Sequence, residues 1–201
     1  MQKINKLGSM PADTEKGFKK YKTASWGDIP EDIKAPLRQQ LYDEQLGICC
    51  YCCKSLNNEK TVIEHLKSRR NYPTKRFDYD NLLLSCSISK QCDNAKGSQE
   101  LLLTPLMNEC NNEIKLNLAG ELESDTERGK EAIEVLNLNS RKACQHRKDL
   151  FTMMGEVFGY DLPYKPPLEM KNEDVLESLL TFLTDISQKS ELRYIVKKLT
   201  E

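Results

Sequence analysis

Five consecutive residues, Cys49-Cys50-Tyr51-Cys52-Cys53, constrain this chain more than any other stretch. Four thiols within five positions can converge on a metal, pair as disulfides or stay as free buried thiols. A secreted protein would pair them as disulfides, but Met1-Gln2-Lys3-Ile4-Asn5-Lys6 has a positive start with no apolar core behind it and does not read as a signal peptide. Thiolates on a metal are therefore expected. Cys49 and Cys52 form one C-x-x-C knuckle and Cys50 and Cys53 form another in a shifted register; only one pair can serve a tetrahedral ion. Cys86 and Cys92 are expected to supply the other half of a structural zinc site, and Cys110 and Cys144 read as ordinary core or surface residues. A thioredoxin-like use of C-x-x-C would need a surrounding βαβ unit, which is missing.

The chain has 201 residues, 38% hydrophobic and 30% charged, enough for one core or for a small catalytic module with a helical extension. No run of about 18 apolar residues offers a transmembrane helix. A cytoplasmic protein without a membrane partner is expected. Because the net charge is only -1, nucleic-acid binding would have to come from local clustering. Between Lys60 and Glu100, eight basic residues stand against five acids, with Lys67, Arg69, Arg70, Lys75, Arg76 and Lys96 as the candidate phosphate contacts.

The expected class is α+β, with four segments. Residues 1–35 read as an irregular arm holding the only tryptophan, Trp26. Residues 36–112 form the cysteine-bearing core, entered by a helix that starts at Pro36, carries Leu37, Leu41 and Leu46 near one face, and stops at Gly47. Residues 113–160 alternate into a short hairpin over 113–123, then a helix opened by the capping box Ser124-Asp125-Thr126-Glu127 and a further helix near 143–158. Residues 161–201 begin with the proline-broken stretch Asp161 to Pro167 and continue in two amphipathic stripes. The first stripe is Val175, Leu176, Leu179, Leu180, Leu183 and Ile186; the second is Leu192, Ile195, Val196 and Leu199.

Between the cysteine pairs lie the residues with chemistry. His65 ends a β-branched stretch, Thr61-Val62-Ile63, and follows a carboxylate, Glu64; Asn81 comes before Cys86, and Asp93-Asn94 comes after Cys92. His146 reads as part of a basic helical face rather than a second base. The combination C-x-Y-C at 49–52, Glu64-His65, Asp80-Asn81-Leu82 before Cys86, and Cys92-Asp93-x-x-Lys96-Gly97 resembles the HNH endonucleases of the ββα-metal fold. The likeness is closest to the PtuB-type HNH subunits of Septu and retron-associated anti-phage defence systems. Outside the core it extends to Trp26-Gly27-Asp28, Leu37-Arg38, and Leu136-Asn137-Leu138-Asn139 followed by Arg147.

That resemblance implies a zinc-stabilised ββα-metal core in which His65 is the general base, Asn81 orients its ring, and Glu64 and Asp93 hold a catalytic divalent ion. Mg²⁺ or Mn²⁺ suits such hard oxygen ligands. A one-residue slip in the third motif would exchange Asp93 for Asn94 as the ligand, and both remain open. The resemblance further implies a separate PtuA-like ATPase subunit, since this chain carries no G-x-x-x-x-G-K-[ST] motif, and in the retron branch a reverse transcriptase with its msDNA. The stripes from Val175 to Leu199 would dock the ATPase or complete the fold. DNA is the favoured substrate and host tRNA the second. The competing function is a non-catalytic zinc module that grips phosphates or a protein with its basic loop.

Overall fold

Thr61-Val62-Ile63 puts branched side chains on the pleated surface that suits them, and these residues open strand β1 (Thr61–His65). β1 pairs antiparallel with β2 (Leu82–Cys86) in a register that sets Thr61 opposite Cys86, Glu64 opposite Leu83 and His65 opposite Leu82. Every residue of β2 is buried, so the hairpin is embedded in the core. His65 therefore stands at the strand end where the long connection to Asn81 leaves. The computed structural model describes residues 1–57, 60–158 and 186–200.

Around this hairpin lie α1 (Ala12–Lys20), α2 (Glu31–Glu44), the single turn α3 (Asp93–Lys96), α4 (Cys110–Glu113), α5 (Glu127–Val135), α6 (Arg141–Phe158) and α7 (Ile186–Thr200). A second two-stranded antiparallel sheet pairs β3 (Lys115–Leu116) with β4 (Leu122–Glu123). The fold is thus mixed α+β, as expected, with seven helices and two small sheets among the described residues. The short hairpin and the helices at 127–135 and 141–158 fall where the sequence suggested. The cap of α5 is Thr126, whose hydroxyl accepts from Gly129 N at 3.2 Å, while Ser124 Oγ accepts from Thr126 N one step earlier.

The N-terminal segment departs from expectation. It is no loose arm: Met1 and Ile4 are buried, Ile4 N donates to Pro105 O at 2.8 Å, and Lys6 Nζ donates to Leu82 O at 3.0 Å. Helix α1 carries little hydrophobic signal, because its buried face is Thr14, Gly17 and Phe18, of which only one is a large apolar residue. Helix α2 begins at Glu31, five residues before Pro36, and the acidic Glu31 and Asp32 favour its N-terminus. Leu46 lies beyond its end, in left-handed backbone at φ 53° and 47% exposed, so it does not extend the apolar face.

Helix α7 returns to the first half of the chain. Glu191 Oε2 accepts from Ser55 N at 2.9 Å, Glu191 Oε1 meets His146 Nε2 at 2.6 Å, and Leu192, Tyr194 and Ile195 are buried. Leu192 and Ile195 of the second stripe are therefore packed within the fold and unavailable to a partner, because the nearest apolar surface to cover them is the chain's own core. The first stripe up to Leu183, and the stretch Asp161 to Pro167, lie outside the described residues.

Gly17 sets how closely α1 and α2 approach: a Cβ built there would meet Ile33 Cγ2 at 2.4 Å. That contact is with a branched carbon close to the backbone, which cannot swing aside. Gly17→Val is expected to destabilise the fold by about 1–3 kcal/mol, the usual cost of overpacking, as read by a lowered urea midpoint with an unchanged slope.

Candidate active site

The Sγ atoms of Cys49, Cys52, Cys86 and Cys92 all lie within 4.8 Å of one another, and all four residues are buried. This cluster could hold a metal ion such as zinc, and it selects the 49/52 register; Cys50 and Cys53 are buried outside it. Cys53 and Cys92 take positive φ, 59° and 54°, where the chain doubles back at the two turns. Crowding sulfurs in a dry interior has an electrostatic signature. Burial alone would raise the Cys49 thiol, but its neighbours Cys50, Cys52, Cys86 and Cys92 hold it well below the usual range, while burial keeps Cys92 well above. A dication bound among these sulfurs would favour the thiolate form of all four.

Glu64 is 3% exposed, and its Oε1 receives two donors, Lys96 Nζ at 2.7 Å and the Tyr51 hydroxyl at 2.7 Å. The Asp93 carboxyl lines the same cleft, close enough to Glu64 to disfavour a second negative charge there. Burial, reinforced by Asp93 and opposed by Lys96, pushes the Glu64 carboxyl up to about 8. At pH 7 Glu64 therefore largely keeps its proton, which a cation bound beside it would displace. Lys96 departs from its expected role: at 1% exposed, bonded also to His65 O at 3.2 Å, it is an internal counterion and cannot serve as an open phosphate contact.

The His65 ring is 3.0 Å from Arg76 O through Nε2. A carbonyl only accepts, so Nε2 carries the proton and Nδ1 is the free acceptor. Burial, with Arg69 adding repulsion, lowers the imidazole to about 4, so it is neutral at pH 7. Trp26 meets the ring edge-on at 4.5 Å, and Phe18 and Phe77 complete an aromatic wall behind it.

Asn81 does not touch the His65 ring and can orient it only at one remove. Its Nδ2 donates to Lys67 O at 2.9 Å and Lys75 O at 3.0 Å, and its Oδ1 accepts from Lys67 N at 2.6 Å. It closes both ends of the 67–75 loop, and so fixes the Arg76 carbonyl that in turn holds the His65 ring. Asn94 turns its Oδ1 to Lys90 N at 2.9 Å, whereas Asp93 is the residue beside Glu64.

An open cleft of about 820 Å³ runs past Glu64, His65 and Asp93. Arg69 and Arg70 line it; Lys67, Lys75 and Arg76 do not. Lys67 pairs with Glu100, Lys75 stands 3.9 Å from Asp78, and Arg76 lies over the Phe77 ring. Lys34 and Arg38 line the cleft from α2 together with Trp26. Their i, i+4 spacing on one helix face was a readable signal, but only the packing of α2 against the hairpin turns that face toward His65. His146 belongs to the Glu191 contact, away from the cleft.

Two outcomes test this description. Cys86→Ser removes one of four ligands and is expected to abolish stoichiometric zinc binding and unfold the region locally, seen as zinc release and lost amide protection. In the zinc-loaded protein without Mg²⁺ or Mn²⁺, Glu64 binds a proton more tightly when folded, so its contribution to stability falls as pH rises from about 4.5 to about 8. His65 has the opposite sign: its folded value of about 4 against 6.5 makes stability rise across that interval. The two offset below about 6.5, and a net decline is expected from there to about 8; chemical denaturation at stepped pH measures it, and Glu64→Gln should flatten it.

No protein-family model and no curated protein matches this chain, so the geometry of these residues carries the functional reading.

Proposed function

We propose that this chain is a metal-dependent HNH-type endonuclease that hydrolyses nucleic-acid phosphodiester bonds. The observation that carries the reading is the meeting, at one cleft, of a neutral imidazole with a free Nδ1 and two adjacent carboxyl groups, Glu64 and Asp93. The order of a two-stranded hairpin followed by a helical turn, β1, β2 and α3, agrees with a ββα-metal core. Glu64 and Asp93 offer hard oxygen donors at the cleft, and this donor set fits Mg²⁺ or Mn²⁺, whose binding would displace the proton from Glu64. When bound, such an ion acts as a Lewis acid on the phosphate and stabilises the departing 3′ oxygen.

His65 Nδ1 takes a proton from water as its oxygen bonds to phosphorus, and the bond from phosphorus to the 3′ oxygen breaks. The Arg76 carbonyl, accepting from Nε2–H, stabilises the imidazolium so formed. Arg69 and Arg70 line the cleft and supply cations for flanking phosphates, with Lys34 and Arg38, both paired with Glu31, beside them. These groups address the phosphate and not the base, so both DNA and host tRNA fit them. Partnership with a PtuA-like ATPase in anti-phage defence follows from the sequence resemblance alone.

Replacing His65 with Ala removes the base and leaves the four thiols in place. The variant should remain folded and zinc-loaded yet cleave about 10²-fold more slowly. Single-turnover assays on labelled plasmid and bulk tRNA, in Mg²⁺ or Mn²⁺ and with the ATPase partner present, measure this. If His65→Ala matches wild type, the enzyme reading is wrong and a phosphate-gripping zinc module takes its place.

A further inference from the structure

Nothing in the proposed chemistry explains why a buried tyrosine stands inside the cysteine knuckle. Tyr51 lies between Cys49 and Cys52, is fully buried, and donates its hydroxyl to Glu64 Oε1 at 2.7 Å. The second donor to that oxygen, Lys96, stands four residues after Cys92. Both donors on Oε1 therefore come from segments anchored by the four-cysteine cluster, one from each half. Asp93, the neighbouring carboxylate, is adjacent to Cys92 itself. With Oε1 engaged twice, Oε2 is the Glu64 oxygen left for a cation.

We infer that Tyr51 is a positioning residue, through which the cysteine knot sets the orientation of Glu64 for a divalent cation shared with Asp93. The inference rests on the cation-binding part of the nuclease reading. A glutamate on a strand has several side-chain rotamers, and pairing across the sheet restrains only its backbone. The hydroxyl of Tyr51 selects one of them. The phenol is rigid, and its backbone is bracketed by two cysteines whose sulfurs converge with those of Cys86 and Cys92, so the selected rotamer depends on the knot being closed. Outer partners of this kind commonly change metal affinity by about 10–100-fold when removed.

Tyr51→Phe deletes the hydroxyl and keeps the ring that fills the buried site. The test is Mn²⁺ binding to the full-length, zinc-loaded protein without nucleic acid, followed by the electron paramagnetic resonance of free Mn²⁺. The variant should keep its zinc and thermal midpoint but bind Mn²⁺ about tenfold more weakly or worse. In cleavage assays the Mn²⁺ concentration giving half the maximal rate should rise, with the rate at saturating Mn²⁺ nearly restored. A merely space-filling tyrosine would leave both quantities unchanged, and that result overturns the inference. So does Mn²⁺ binding that ignores Glu64→Gln. If Tyr51→Phe fails to hold zinc, the wild-type fold carrying 3-fluorotyrosine at position 51 is used instead: its ¹⁹F resonance should move with Mg²⁺ at the binding midpoint, and a resonance that stays fixed overturns the inference. Glu64-dependent Mn²⁺ binding without any cleavage would sink the nuclease reading and leave the role of Tyr51 standing.

Discussion

The convergence of Cys49, Cys52, Cys86 and Cys92 is the constraint from which the rest of the structure takes its shape, because it joins three segments that have little else in common. One is the turn after α2, one is the end of β2, and one is the loop that enters α3. A zinc ion bound in such a site would contribute about 10–16 kcal/mol, as much as the whole net stability of a typical domain. The embedded hairpin has only five residues per strand and the neighbouring helix a single turn, so neither element could hold its position by local pairing. Leu37, Leu41, Leu82 and Leu84 are buried in the same hydrophobic core as the four cysteines, whose sulfurs are thereby removed from water.

The second determinant is an electrostatic arrangement that is costly to bury. Glu64, Asp93 and Lys96 put two acids and one base at the foot of a cleft, with Glu64 and Lys96 almost fully removed from water. A hydrophobic replacement would fold at least as well, since a buried ion pair seldom repays its desolvation. Such perturbed groups beside a neutral histidine in a cleft are what the proposed function puts to use.

Around that foot the chain builds a wall and a rim. The wall is aromatic: Trp26, Phe18 and Phe77 exclude water from one side of His65 and help to keep it neutral. The rim is basic, drawn from α2 and from the loop that Asn81 closes. The N-terminal segment contributes to both, through Trp26 and through the close seating of α1 on α2 at Gly17.

Much of this was legible in the sequence. The mixed class, the short hairpin at 113–123, the later helices and a cysteine cluster with Cys86 and Cys92 as its second half follow from spacing and residue chemistry, because metal ligands and strand periodicity leave short-range signatures; the grouping of Glu64 and His65 with Asp93 or Asn94 came from the resemblance alone. What sequence alone left open was decided by packing. The choice of Cys49 and Cys52 over Cys50 and Cys53 needed the three-dimensional position of Cys86 and Cys92, since both registers have identical local spacing. Helix α1 buries a threonine and a glycine, which carry no hydrophobic signal, and is recognisable only once α2 lies against it. Lys96 reads as one more surface base until the fold carries it beneath β1 to meet Glu64. The link from Tyr51 to Glu64 spans thirteen residues and two elements, and no local pattern encodes it. Residue chemistry can be read from the chain, but which atoms are brought within 3 Å of each other, and which are removed from water, is settled only when distant segments close on one another.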